Sequence, residues 1–156
     1  MGYLTSRETA PRLGLSSGGT MRADGWSRIP IIRMTNINLE PREGTLEEII
    51  GDTKDGIYIE GMGSFSIDQK RLNFQFGGDC FWEIKNGRKG AILKDVVYQA
   101  ITPEFYGAMD AICDARFWMP FGVGNCGKGD PMQVARMTHG SAPARFRKIR
   151  VGPGVK

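Results

Sequence analysis

The stretch Cys80-Phe-Trp-Glu-Ile-Lys-Asn-Gly-Arg88 carries the strongest fold signal in the chain. Its Asn86-Gly87 pair is typical of a two-residue β-hairpin turn, because both turn positions need a positive φ. The apolar-rich run Cys80 to Lys85 is therefore predicted to pair with a strand running from Gly90 toward Val97. Cys80 itself is expected to pack as a small hydrophobic residue.

Short segments of alternating apolar and polar residues lie on both sides of this hairpin, and this alternation is typical of strands. Twenty-two glycines spread along the chain favour many turns between short strands. The pattern predicts a mainly β (α+β) domain with antiparallel-rich, short-stranded, barrel-like sheets and two short helices. The further strands are predicted at residues 29–39, 56–60, 64–68, 72–76, 133–137 and 146–151.

The two helices are predicted from their start signals. Thr45-Leu46-Glu47-Glu48 is a capping box, so a helix is expected from Thr45 through Ile50. Thr102-Pro103 is a second start, with the threonine as N-cap and the proline at the first helical position. An apolar stripe extends this second helix to Asp114. The stripe consists of Phe105, Met109 and Ile112.

Length and composition fit one globular domain. The 156 residues include 40% hydrophobic and 24% charged residues, which are ordinary values. Residues 1–27 show little periodicity, so they are predicted to form an extended, partly mobile arm that continues from a missing N-terminal part. Residues 28–156 are predicted to form the domain itself.

Charge and hydropathy argue against two classes of partner, nucleic acid and membrane, of which nucleic acid stays the weaker alternative. The net charge is +4, and the basic residues of the C-terminal tail alternate with apolar ones. Alternation favours the solvent face of a strand over a nucleic-acid surface, since no aromatic platform accompanies it. The sequence contains no run of 18 apolar residues, so no membrane-spanning helix is predicted. The tail residues are Arg145, Arg147, Lys148, Arg150 and Lys156.

The three cysteines, Cys80, Cys113 and Cys126, have no close spacing. Neither a CxxC metal knuckle nor a disulfide framework is indicated, and the count suits a reducing, cytoplasmic compartment. Cys113 is expected to be structural. His139, the only histidine, is predicted to lie in a surface turn or to be a ligand, and its role stays open.

The second stretch of interest is Phe121-Gly-Val-Gly-Asn-Cys-Gly-Lys-Gly-Asp-Pro131. It fits most of a P-loop, but Gly129 replaces the Ser or Thr and no helix is predicted to follow. It also mimics the dinucleotide fingerprint without the βαβ context. One interpretation is a loop that presents Cys126, in a turn accessible to solvent, to a metal or substrate. The alternative is a glycine-rich connection with a buried thiol.

Several short motifs that are distributed over nearly the whole chain point to the same family. They closely resemble the C-terminal part of the TldD/PmbA metallopeptidases, a family also called modulator of DNA gyrase. The motifs are Ile32-Arg33-Met34-Thr35-Asn36-Ile37, Glu40-Pro41, Gly44-Thr45-Leu46-Glu47-Glu48-Ile49-Ile50, Lys54-Asp55-Gly56-Ile57-Tyr58, Phe74-Gln-Phe-Gly77, Asn86-Gly87, and Gly122-x-Gly124-x-Cys126-Gly127-Lys128, and in some branches His139 to Phe146.

The resemblance implies a zinc-dependent peptidase that binds unfolded peptide as an added strand and acts as a homo- or hetero-dimer. In TldD-type members, zinc is held by two histidines of a His-Glu-x-x-x-His helix and by a cysteine that matches Cys126. The resemblance also points to residues that bind substrate or shape the loop. These are Arg33, Thr35, Asn36, Gly124, Gly127 and Lys128.

The His-Glu-x-x-x-His motif is missing here. The chain is therefore predicted to be the C-terminal module of such a peptidase, supplying Cys126 as a metal ligand. It would hold zinc only together with the missing histidines and be inactive alone. The alternative is a non-catalytic scaffold or partner subunit of such a peptidase complex. A domain separated from its N-terminal part leaves an apolar interface uncovered, so the truncated chain is predicted to self-associate.

Overall fold

The computed structural model of the chain describes residues 3–153. Within them lie thirteen short strands and two short α-helices, and the strands of each sheet pair antiparallel. The predicted mainly β, α+β class is confirmed, and the described sheets do not close into a barrel. Gly2 of the predicted arm and Lys156 of the basic tail lie outside the described residues.

Two turns of 3₁₀-helix, Pro11–Leu13 and Ala115–Phe117, accompany the regular elements. The strands are β1 (Met21–Arg22), β2 (Ile31–Ile32), β3 (Asp55–Glu60), β4 (Phe65–Ile67), β5 (Asn73–Phe76), β6 (Cys80–Lys85), β7 (Arg88–Leu93), β8 (Val96–Ile101), β9 (Met109–Ile112), β10 (Met119–Lys128), β11 (Gln133–Ser141), β12 (Ala144–Phe146) and β13 (Arg150–Pro153). The helices are α1 (Leu46–Gly51) and α2 (Thr102–Gly107). Between residues 3 and 153, no helix has the length and apolar character needed to cross a membrane.

The chain divides into two compact units. Unit 1 comprises residues 1–40 and 119–141, and unit 2 comprises residues 41–118 and 142–156. Each unit is therefore built from two separate stretches of sequence. The predicted boundary after residue 27, between an arm and the domain, stays a prediction.

Unit 2 contains a four-stranded sheet in the order β13-β8-β5-β4, a three-stranded sheet in the order β3-β6-β7, and the pair β12-β9. The Asn86-Gly87 turn joins β6 to β7 as predicted, with φ values of 48° and 75°. Positive φ at both positions matches the twist of the strands they connect. Buried apolar residues form the core of this unit, among them Phe74, Phe81, Ile84, Ile112 and Cys113.

Helix α1 begins with the predicted capping box. The Thr45 hydroxyl oxygen accepts the Glu48 N–H at 3.1 Å, and the Glu48 carboxylate accepts the Thr45 N–H at 2.7 Å. That second hydrogen bond stabilises the charged carboxylate and lowers the pKa of Glu48. The cap satisfies N–H groups that have no partner within the helix, so local sequence alone sets this start.

Helix α2 is shorter than predicted and ends at Gly107. Residues Met109–Ile112 form β9, which pairs with β12, so the apolar stripe does not lie on one helical face. Pairing with a distant strand overrides the helical spacing here. Thr102 is the first helical residue rather than a capping side chain, and its hydroxyl donates to the Leu72 carbonyl at 3.1 Å.

The strand predicted at residues 29–39 is wrong in length, because only Ile31–Ile32 pairs in a ladder, with β1. Asn38 makes a single parallel bridge to Gly140 farther along. The strand predicted at residues 146–151 is interrupted between β12 and β13, where Lys148 has a φ of 56°. The strand predicted from Gly90 toward Val97 is wrong in extent, because β7 ends at Leu93 and β8 begins at Val96 in another sheet, with a φ of 55° at Asp95 between them. The remaining predicted strands are confirmed, with small shifts at their ends and a longer β11.

The N-terminal residues from Tyr3 onward differ from the expected extended arm. The buried Thr5 hydroxyl oxygen accepts the Gly18 N–H at 2.9 Å, and the Thr20 hydroxyl donates to the Thr5 carbonyl at 3.0 Å. Short polar side chains that bond to backbone close this segment into a loop. Ala10, inside the loop, is 1% exposed.

Candidate functional site

Cys126 lies on a strand, not in a turn. Strand β10 carries nearly all of the glycine-rich stretch and pairs with β11 from Met119↔Ser141 to Lys128↔Gln133. The predictions of a loop and of a turn position for Cys126 are therefore wrong. Glycine retains the backbone donors and acceptors of a ladder, so a long facing strand can pair with it despite its low strand propensity. The turn itself is confined to the residues around Gly129, where φ is 93°.

A β-bulge interrupts this pairing next to the thiol. Val123 lies opposite Met137 and Cys126 lies opposite Ala135, so two residues on β10 face one on β11. Met137 and Ala135 are two residues apart and share one face of their strand. The bulge therefore places Val123 and Cys126 on that same face, where Met137 is buried. Cys126 is half-buried there.

The buried side chain of Arg33 contacts the strand at this point. Arg33 is 1% exposed, and its Nη2 donates to the Cys126 carbonyl. Its Nη1 donates to the Gln133 carbonyl on β11 at 3.3 Å. Arg33 thus bonds both strands between the bulge and the turn. Its Nε has no hydrogen-bond partner among the described residues.

Two other predicted site residues, Lys128 and Asn36, also connect residues 31–36 to the β10–β11 pair. The Lys128 ammonium donates to the Ile32 carbonyl at 2.5 Å, and the Asn36 side-chain oxygen accepts the Thr138 N–H at 2.9 Å. Both residues are exposed overall. These contacts place the segment that carries Arg33 alongside β10 and β11.

The remaining predicted site residues are Thr35, Gly124 and Gly127, and their surroundings say less about a role in binding substrate or shaping the strand. Thr35 is half-buried, and Gly124 has open space where a Cβ would lie. Gly127 is crowded, because a Cβ there would lie 2.9 Å from the Met132 sulfur. Met132 is 64% exposed and can move aside, so sterics require glycine at neither position 124 nor position 127. Substrate-binding roles for these residues stay predictions.

His139 lies within β11, so its predicted position in a surface turn is wrong. Its Nδ1 accepts the Ile37 N–H at 3.1 Å, and its ring meets Phe121 edge-on at 5.8 Å between centroids. A ring nitrogen that accepts a hydrogen bond has its lone pair engaged. In this arrangement His139 tethers the backbone at Ile37 to β11, and its Nδ1 cannot also bind a metal.

The described residues do not form a complete metal centre. Between residues 3 and 153, no group of three or more His, Cys, Asp or Glu side chains could hold a metal ion. A zinc site needs three or four such ligands. The described residues alone therefore do not provide the ligand set of a zinc site.

Of the other two cysteines, Cys113 differs from Cys126 in its burial and Cys80 does not. Cys113 is 0% exposed, and burial raises its pKa because the thiolate loses its hydration. Its predicted structural role agrees with this burial. Cys80 is half-buried at the start of β6.

A cavity in unit 2 escaped the sequence reasoning because its walls come from distant segments. It measures about 510 Å³ and has a mostly apolar lining with basic side chains on one wall. The alternation in the C-terminal tail predicted that Arg145 lies on a solvent face. This prediction is wrong, because Arg145 lies on that wall and binds Asp110 and Asp52. The apolar lining includes Leu46, Ile49, Tyr58, Ile84, Phe105 and Phe146.

Comparison with known proteins gives a family for this architecture. The model of the PmbA/TldA metallopeptidase C-terminal domain matches residues 1–152. A metalloprotease of Methanocaldococcus jannaschii is 34% identical over 126 residues, which cover 81% of this chain and 27% of the relative. A zinc metalloprotease TldD homolog of Saccharolobus solfataricus is 24% identical over 151 residues, covering 96% and 32%. The chain thus spans about a third or less of the length of these curated relatives.

The fold has a solved counterpart. The crystal structure of TldE from Thermococcus kodakarensis superposes with a TM-score of 0.65, covering 97% of this chain and 31% of that one. The two sequences are 17% identical. At that identity the likeness concerns the fold alone.

Proposed function

Because the chain belongs to the PmbA/TldD metallopeptidase family, as its C-terminal domain, we propose that it supplies Cys126 as one ligand of a zinc centre in a peptidase for unfolded peptides. The observation that carries the proposal is the half-buried thiol of Cys126 beside a bulge, on a residue whose backbone carbonyl binds the buried Arg33. A ligand must be held in place to favour one coordination geometry. Zinc is supported by the name of one relative, a zinc metalloprotease.

The remaining ligands would be the two histidines of the His-Glu-x-x-x-His helix that the family resemblance implies. A single thiolate cannot fill a tetrahedral shell. We therefore expect the isolated chain to bind zinc weakly and to show no peptidase activity. No catalytic base is assigned to this chain.

A peptide-binding role is supported by the free side of β10. Strand β10 pairs only with β11 among the described strands, and two of its large apolar side chains are exposed, Met119 at 70% and Phe121 at 49%. An extended peptide can add to such an edge through main-chain hydrogen bonds, which accept many sequences. This edge would place the peptide near Cys126. Pairing with a second family member and a cytoplasmic location complete the proposal.

The test is metal content measured beside peptide turnover. In a full-length relative that carries both histidines, the cysteine matching Cys126 is changed to Ala, and the positions matching Cys80 and Cys113 are changed as controls. Zinc content by mass spectrometry and cleavage of an unfolded peptide should fall together in the first variant only. Normal zinc and normal cleavage in that variant would mean that Cys126 is a packed strand residue and not a metal ligand.

A further inference from the structure

We propose that Arg33 is a positioning residue for Cys126, holding the bulged strand so that the thiol keeps one direction. The inference rests on the proposed role of Cys126 as a metal ligand. It concerns a residue that touches neither zinc nor peptide in that proposal. Arg33 acts through the Cys126 backbone.

Burial of Arg33 is the first argument. A guanidinium that is 1% exposed has lost its hydration, and this loss is costly unless strong hydrogen bonds replace the water. The described salt bridges give Arg33 no carboxylate. Instead two of its nitrogens bind carbonyls of β10 and β11. These hydrogen bonds offset the free-energy cost of burying Arg33, and they hold β10 and β11 together.

The position of those carbonyls is the second argument. One belongs to Cys126, the first paired residue after the bulge, and the other belongs to Gln133, which faces Lys128 at the end of the ladder. A bulge leaves a residue without its ladder partner and weakens the pairing locally. The planar guanidinium bonds both strands between this bulge and the end of the ladder, a geometry that a single ammonium cannot reproduce.

The surroundings hold Arg33 itself in place. Its backbone N–H donates to the Thr20 carbonyl at 3.1 Å, beyond the β1–β2 pair. Gln133, which accepts from Arg33, is itself buried and bonded through its side chain, accepting from Asp24 at 3.1 Å and donating to Ile29 at 2.8 Å. Arg33 and its acceptor Gln133 are therefore both anchored on residues 20–29.

The test uses the full chain and two substitutions, Arg33→Met and Arg33→Lys, with Arg22→Met as the matched control. Arg22 also donates to a backbone carbonyl in unit 1, that of Met34 at 3.5 Å, and makes no described bond to β10. Alkylation of each cysteine by iodoacetamide under native conditions is followed by peptide mass spectrometry. Hydrogen exchange of the β10 and β11 amides is measured in parallel.

Arg33→Met should raise the alkylation rate of Cys126 by about tenfold or more, since charge-assisted hydrogen bonds oppose local opening by that factor. Exchange should quicken between Cys126 and Gln133 and stay slow between Met119 and Val123. Arg33→Lys should give an intermediate rate, and Arg22→Met should leave Cys126 at its parent rate. The Cys80 rate should be constant throughout.

An unchanged Cys126 rate in Arg33→Met, with β11 still protected, would overturn the inference. If Arg33→Met loses protection along all of β11, Arg33→Lys decides instead, and a parent-like Cys126 rate there would also overturn it. Neither readout requires zinc. If Cys126 is not a zinc ligand, the alkylation rates expected for the Arg33 variants stay the same. The failure of the metal proposal and the failure of this inference are therefore distinguishable.

Discussion

Arg145 and Asp110 form a two-bond ion pair beside the β9–β12 ladder, with Nε 2.9 Å from Oδ1 and Nη2 3.0 Å from Oδ2. The Arg145 side chain is 14% exposed and that of Asp110 is 35% exposed. Arg147 donates to the same carboxylate. The bond from Arg145, opposed by desolvation and reinforced by Arg147, lowers the pKa of Asp110 from 3.8 to about 2.

The first prediction is a pH-dependent loss of stability in Asp110→Asn. Because folding lowers the pKa of Asp110, its ionised form stabilises the folded state above pH 3.8, and this stabilisation is lost as the pH falls through about 2. The full effect would be about 2 kcal/mol. Solvent screening at a partly exposed carboxylate reduces the expected loss at pH 7 to about 1 kcal/mol.

Urea unfolding at pH 7 and at steps between pH 4 and pH 2 measures this effect. The difference between parent and variant should narrow as the pH falls. Asp55→Asn is the control, because Asp55 and its partner Lys85 are each 59% exposed and their pairing is screened by solvent. A difference that is equally large at pH 2 would mean that the ion pair is not its source.

The second prediction concerns the hairpin turn, where Gly87→Ala should be strongly destabilising. Gly87 has a φ of +75°, and an added Cβ would lie 2.5 Å from the Gly51 carbonyl oxygen. Backbone strain and this clash together should cost about 2 kcal/mol or more. Gly107→Ala meets no atom within 4 Å and should change stability by no more than about 0.5 kcal/mol. Equal urea midpoints for the two variants would contradict the steric argument.

Local signals explain which parts of the fold the sequence predicts. The Thr45 cap is predictable because its hydrogen bonds join residues three positions apart. The Asn86-Gly87 turn is predictable because the two residue types themselves favour the positive φ that the turn needs. The end of α2 is not predictable, because β9 exists only through its pairing with β12. No periodicity within residues 103–114 reports on that distant partner.

The candidate site was predictable in part for the same reason. Composition singles out Cys126, yet its glycines suggest a loop, and only pairing with β11 makes that stretch a strand. Arg33 contacts Cys126 across 93 positions of sequence. One arginine in an apolar run carries no local sign of whether it is buried, so its contact with the bulge required the fold.

The third prediction is an order of cysteine reactivity. Cys113 is fully buried and its pKa is raised by burial, so it should resist iodoacetamide under native conditions at pH 8. Cys80 and Cys126 are half-buried and should react first. Peptide mass spectrometry after timed labelling gives all three rates, and urea should equalise them. Early labelling of Cys113 in the folded chain would contradict its place in the core.

The fourth prediction is concentration-dependent self-association through the edge of the four-stranded sheet. Strand β4 is outermost in that sheet, and all three of its residues are exposed. Phe65 is 71% exposed, and Met62 just before the strand is 82% exposed. An apolar edge with unpaired backbone groups is a template for pairing with another chain. Sedimentation velocity across a concentration series should therefore reveal species larger than the monomer.

Phe65→Lys should shift this association to higher protein concentration, because a lysine on an edge strand opposes pairing with a neighbour. Tyr106→Lys is the matched control, since Tyr106 is an exposed aromatic residue at 54% but lies on α2, away from any strand edge. Equal effects of the two substitutions would assign the association to general apolar exposure, not to strand pairing. A single monomer boundary for the parent chain at the highest concentration would mean that this edge does not drive assembly. The apolar contact at the edge would then be too small to offset the entropy that is lost on association.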